Sequence, residues 1–199
     1  MKKFLAIVLS IAALALTGCS QVDSAASVGD SEIALADLQS QVNLILSERE
    51  GVDTTQMQLE DGEALTRSQL SYMISNLIIA GVAQDQKVEV TKAEIDAYKV
   101  EIYTNIGGEA NLPNVLVSAS IPSTSLDDVL RRDLILRKIS EREAATGSDD
   151  AAINERIQTL VTEKATSLGI TVNPRYGTWD AVTLSVIATD PAGDAVTDK

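Results

Sequence analysis

Histidine is absent from all 199 residues, and cysteine occurs once. The first absence excludes Ser-His-Asp and Cys-His nucleophilic sites and removes the commonest transition-metal ligand. The second excludes an internal disulfide, so stability has to come from packing. Aromatic residues make up 3% of the chain, with one Trp, four Tyr and one Phe, and 16 Lys+Arg stand against 29 Asp+Glu. Such a chain repels phosphate polymers and offers few stacking platforms, which excludes nucleic-acid binding as a class. It is equally unsuited to adsorption onto anionic lipid through surface charge. No phosphate loop, no G-x-G-x-x-G turn and no EF-hand ladder occurs, so neither a cofactor nor a metal is expected. Gly107-Gly108 reads only as a helix stop. Long apolar runs are lacking beyond the first twenty residues.

That first stretch is the clearest signal present. Lys2 and Lys3 precede 13 apolar-rich residues, Phe4 to Leu16, and then small residues, the three parts of an export signal. Thirteen residues rise about 20 Å as a helix, short of a hydrocarbon core of about 30 Å, so a spanning helix is disfavoured. Leu16-Thr17-Gly18-Cys19 resembles the bacterial lipobox, in which the cysteine thiol is acylated and the chain is cut on its N-terminal side. The expectation is a signal peptide over 1–18, a lipid anchor on Cys19, a polar tether over 19–26 and attachment to the extracytoplasmic face of the cell membrane. Two acyl chains anchor stably where one does not. Losing Lys2 and Lys3 leaves 14 cationic residues against 29 acidic ones, a formal charge of −15 on 181 residues.

Helical periodicity dominates the rest of the chain. Ser27 to Ile33 reads as a short strand or turn. Leu35, Leu38, Val42, Ile45 and Leu46 predict a helix over about 35–49. A loop from Gly51 to Gly62 comes next, and Leu70, Met73, Ile74, Leu77, Ile78 and Val82 then keep one face apolar for more than three turns. Thr91-Lys92-Ala93-Glu94 has the form of a capping box at the start of a helix over about 92–106. A short helix is expected over about 109–119, with Pro113 in its first turn and Pro122 beyond it. Ser125-Leu126-Asp127-Asp128 reads as a cap on an apolar helix reaching about Glu143, with Arg131, Arg132, Arg137 and Lys138 on its solvated side. A break over 144–150 precedes a last helix carrying Ile153, Ile157, Leu160, Val161 and Leu168, with Gly169 as its C-cap. Ile170 to Asn173 and Ala181 to Ile187 favour extended structure, Pro174 to Gly177 a bend, and residues 190–199 a flexible tail. The fold class is mainly α, one domain over 27–189, with a small sheet formed by the two terminal segments.

The order of elements over roughly Ser27 to Ile139, with a closing segment beyond it, is similar to the N-terminal domain of SurA/PrsA-type foldases. Val28-Gly29-Asp30-Ser31-Glu32-Ile33 resembles that family's V-N-G-x-x-I opening, and Ser125 to Leu134 its helix ending in R-x-x-L. Val172-Asn173-Pro174-Arg175-Tyr176-Gly177-Thr178-Trp179-Asp180 resembles the strand that closes such chains. The family often inserts a parvulin-type prolyl isomerase domain between these last two segments. Here a polar break and one helix stand in that place, far short of a domain of about 100 residues, so the resemblance implies the chaperone module without the enzyme.

The resulting expectation is a non-enzymatic lipoprotein that binds unfolded or newly exported polypeptides. The alternatives are an adaptor docking one envelope partner and a small-ligand receptor, for which the chain is short. Candidate peptide-contacting residues are Leu112, Val115, Leu116, Val117 and Ile121, with Met57 and Leu59 from the loop, because uncovered apolar groups mark partner sites; all seven are equally compatible with a core role. Trp179 and Tyr176 are read as packing residues rather than a peptide clamp. The pairs Asp127/Asp128 and Asp149/Asp150 are read as helix-start charges rather than an acid and a base.

Overall fold

The computed structural model describes residues 23–189. The expected signal peptide, Cys19 and the tail over 190–199 lie outside the described residues. Six helices and five short strands follow in chain order: β1 (Ser24–Val28), β2 (Ser31–Ala34), α1 (Leu35–Arg49), α2 (Gly62–Gln86), α3 (Lys92–Asn105), α4 (Leu112–Ser118), α5 (Leu126–Ala145), α6 (Asp150–Leu168), β3 (Ile170–Val172), β4 (Thr178–Asp180) and β5 (Ser185–Ile187).

The 25-residue α2 is the central element. It packs against α1, α5, α6, β1 and β5, and buries Leu65, Leu70, Ile74, Ile78, Ile79 and Val82. Its first half shares a core with β1, β2 and α1, through Ala25, Val28, Ile33, Leu38, Val42 and Ile45. Its second half meets Ile135 and Ile139 of α5 and Leu160 of α6. A smaller cluster, Ile95, Leu130 and Leu134, joins α3 to α5. An apolar helix with several partners needs apolar residues around more than one face, which is why α2 is half-buried or buried along nearly its whole length.

The two ends of the domain do pair. β1 is the middle strand of a three-stranded sheet, antiparallel to β2 through the Gly29–Asp30 turn and antiparallel to β3 on its other side, with Ala26 opposite Val172 and Val28 opposite Ile170. Gly29, at φ 59°, supplies the positive dihedral that a two-residue hairpin demands, and its N–H donates to the Leu168 carbonyl at the end of α6.

Four local expectations are corrected. Ser24 to Ala26 do not belong to a tether: Ala25 and Ala26 are buried against the core, and the small side chains assigned to flexibility are what allow the strand to lie close to α2. The segment over 109–119 is not one helix, because Pro113 has no N–H to give to Glu109; a 3-10 turn, Glu109–Asn111, precedes α4. Ser125 precedes α5 but makes no side-chain cap; it is buried, and a 3-10 turn over Ser123–Ser125 starts the helix instead. The extended run over 181–187 is a turn for its first half. The Asp180 carboxylate accepts from the Val182 N–H and the Thr183 hydroxyl, both at 2.8 Å, and Leu184 sits at φ 52°, so only Ser185–Ile187 pairs, with β4, in a separate hairpin.

Candidate functional site

The Thr91–Glu94 capping box forms as the sequence predicts, with the Thr91 N–H donating to Glu94 at 2.8 Å and the Glu94 N–H to Thr91 Oγ1 at 3.3 Å. Lys138 of α5 also reaches Glu94, at 2.6 Å, and holds its carboxyl down at about 2, with the Thr91 bonds adding to the effect. Lys99 pairs with Asp127 and lowers its pKa, Arg131 pairs with Asp128, and Asp149 caps the first turn of α6 by accepting from the Ala152 N–H. These acidic pairs are occupied as helix-start and interhelical partners.

The seven residues singled out for peptide contact are not gathered in one place. Leu116 and Val117 are buried where α4 packs on α1, at 5% and 3% exposure, so they belong to the interior. Val115, on the outer side of the same helix, is 39% exposed. Met57, Leu59, Leu112 and Ile121 are half-buried, and of the seven only Ile121 lines a substantial hollow. Tyr176 and Trp179 pack against the main core, as their sequence context suggests.

That hollow is a cleft of about 400 Å³. One wall is the first half of α2 (Ser68, Gln69, Tyr72), another the connection after α4 (Ser118 to Pro122), and a third Val129 and Arg132 of α5. The connection is firmly set. Ser120, in the left-handed region at φ 52°, accepts from the Gln69 amide at its carbonyl, at 2.9 Å, and from Arg49 at its hydroxyl oxygen, at 3.0 Å. Arg49 also donates to the Glu60 carbonyl at 2.8 Å, and the Ser123 N–H donates to the Glu48 carboxylate. A second, apolar hollow of about 200 Å³ continues on α2: Ser75, Ile78 and Ile79 face Arg132 and Leu136 of α5, with Val161 of α6 and Leu184 of the hairpin turn completing it.

Both hollows therefore follow one α2 stripe, 68, 69, 72, 75, 78 and 79, and one α5 stripe, 129, 132 and 136, at helical spacing. Arg132 belongs to both. The twelve residues from 68 to 79 on α2 span about 16 Å, the reach of about five residues of extended chain. The stripe carries unmet polar capacity. Gln69, 4% exposed, uses its amide nitrogen on Ser120 while its Oε1 has no partner. Each buried, unpaired polar atom costs about 1–3 kcal/mol. Burial raises the Tyr72 pKa; Asn76, hydrogen-bonded to its hydroxyl, and the guanidinium of Arg132, over its ring at 5.4 Å from the centroid, partly oppose that rise.

The sequence pattern puts Arg132 on the solvated side of α5; the fold holds it half-buried between α2 and α5. The signal that locates the groove in the sequence is Gln69 and Tyr72, at i and i+3 on a helix whose buried residues are otherwise aliphatic. Among the described residues no cluster of three or more Cys, Asp or Glu is placed to hold a metal, and no helix is long and apolar enough to cross a membrane.

No curated protein and no solved structure matches the chain at a significant level. A family of protein domains does: residues 1–140 match the SurA-like N-terminal domain, a span from the N-terminus through most of α5 up to Ser140. With its helical body, its hairpin opening at Val28 to Ile33 and its arginine-bearing α5 in place, the chain belongs to the SurA-like N-terminal domain family.

Proposed function

We propose that this protein is a non-enzymatic, extracytoplasmic chaperone lipoprotein that holds unfolded or newly exported polypeptides in the groove between α2 and α5. The carrying observation is that groove: about 16 Å long, half polar and half aliphatic, in a domain of a chaperone-type family. A partly apolar channel edged by the unpartnered Gln69 Oε1 and by polar side chains suits an extended chain, whose backbone offers N–H and C=O at every residue.

Several features support the absence of catalysis. Histidine is missing from the sequence, and Asp127, Asp128 and Asp149 are engaged in ion pairs or a cap. The α5–α6 connection is a short turn over residues 146–149 in the place where the larger foldases carry their isomerase domain. The N-terminal signal and Cys19 support a membrane-anchored location with diacylglycerol on the thiol, leaving the domain facing the exported chains.

Residues 20–199, which retain every described element, are expected to suppress the aggregation of several unrelated unfolded proteins at near-stoichiometric ratios. Suppression of none of them, with capture of a single envelope protein from membranes, would replace this reading with a dedicated adaptor.

A further inference from the structure

We propose that the α2–α5 groove selects extended segments carrying an aspartate or glutamate flanked by aliphatic residues, with Arg132 pairing the carboxylate. This rests on the polypeptide-binding reading and names its preferred substrate. Six cationic side chains of the described residues are half-buried: Arg49, Arg67, Lys99, Arg132, Lys138 and Lys164. Arg67, Lys99, Lys138 and Lys164 each hold a carboxylate, and Arg49 donates to Glu60 and Ser120. Among the described residues Arg132 has neither an ion pair nor a hydrogen bond; its contact is with the face of Tyr72. In a chain with nearly twice as many acidic as basic residues, a half-buried guanidinium without an anion is an unmet charge.

The surroundings define what meets it. Asp128, one turn earlier on its own helix, is taken by Arg131 at 2.7 Å, and Glu60, which lines the same cleft, makes no ion pair with Arg132; only its backbone carbonyl is engaged, by Arg49. A guanidinium presents a planar fork that matches a carboxylate. The aliphatic hollow beside it, floored by Ile78, Ile79 and Leu136, suits Leu, Ile or Val next to the acidic residue. On the other side the buried, unpartnered Gln69 Oε1 supplies polar capacity toward the backbone. Because Arg132 stands where the two hollows adjoin, with groove on both sides, the carboxylate it fits is a side chain within a segment rather than a chain terminus.

The test uses the full chain reconstituted in neutral-lipid nanodiscs and fluorescein-labelled twelve-residue peptides, blocked at both ends, with a central Leu-Asp-Leu or Leu-Asn-Leu. The Asp peptide is expected to bind on the order of tenfold more tightly, the effect of one charge-assisted pair. Arg132→Gln should abolish that preference, so that the two peptides bind equally, and Arg132→Lys should restore part of it. Circular dichroism confirms that each variant is folded. Equal binding of both peptides by the native chain, or a preference that survives in Arg132→Gln, overturns the inference and leaves the polypeptide-binding reading standing. Binding of neither peptide overturns both. A preference seen only when the peptide's own C-terminal carboxylate is free overturns the internal site in favour of chain ends.

Discussion

Gly177 shows how a single residue fixes the hairpin that closes the domain. It is buried at φ 126°, and a Cβ there would lie 1.9 Å from the Ile187 carbonyl oxygen. Any side chain has to displace the backbone of β5, which itself packs against α2. Gly177→Ala is expected to lower stability by about 2–4 kcal/mol, read as a fall in the urea midpoint, because strain at a special dihedral and a backbone clash act together. At the other end, Cys19 carries a prediction that rests on sequence alone. Cys19→Ala should leave unprocessed precursor, without acyl label in metabolic labelling with palmitate; unchanged maturation and membrane retention would dismiss the lipid anchor.

At the scale of elements, the junction of α3 and α5 is set by one network. Thr91 and Glu94 cap α3 reciprocally, and Lys138 of α5 bonds both Glu94 and the Glu89 carbonyl. Thr91→Ala removes half of the box and should cost about 1 kcal/mol in thermal or urea unfolding. The pH dependence arises from the same group. Glu94 titrates at about 2 in the folded chain, held there by Lys138 and then by Thr91, against about 4.3 for an unperturbed glutamate. A depressed folded value means that the stabilisation is complete above about pH 4.3 and is lost as the pH falls from there toward 2. Glu94→Gln should therefore show a shallower loss of stability over that window than the native chain; identical slopes would remove Glu94 from the acid response.

For the whole molecule, the decisive feature is that β1 needs β3. Val28 and Ala26 face partners more than 140 residues away, and the Asn173 N–H donates to the Ala25 carbonyl in continuation of the ladder. The matched family domain ends at residue 140, yet Ala165, Val172 and Val186 lie beyond it in the main core. A chain ending at Leu168 is expected to lose cooperative unfolding and bind a hydrophobic dye, since one ladder of β1 and part of the α2 face become exposed. A sharp two-state transition in that truncation would show that α6 and the N-terminal elements suffice.

The helices are legible in the sequence because each arises from local causes. The 3.6-residue apolar period, the Thr91 box, the helix-start charges at Asp149 and Asp150 and the glycine at 169 act within a few residues, and α1, α2, α3, α5 and α6 stand where those signals put them. The pairing of the two ends is also legible, since extended segments of a mainly helical chain have few other partners. The candidate contact residues are not, because apolarity alone does not distinguish Leu116 and Val117, turned inward by the packing of α4 on α1, from Val115 on the same short helix. Nor does local sequence reveal that Arg132 faces α2 and Tyr72 instead of water; the rotation of α5 is set by Leu130, Leu134, Ile135 and Ile139 meeting two different clusters. Local sequence suffices for the five longer helices, the acidic charge and the exclusion of histidine chemistry. Only the tertiary structure decided where a groove lies and which charge is left unpaired in it, because both depend on faces of helices that are far apart in the chain and are brought side by side only by the core they share.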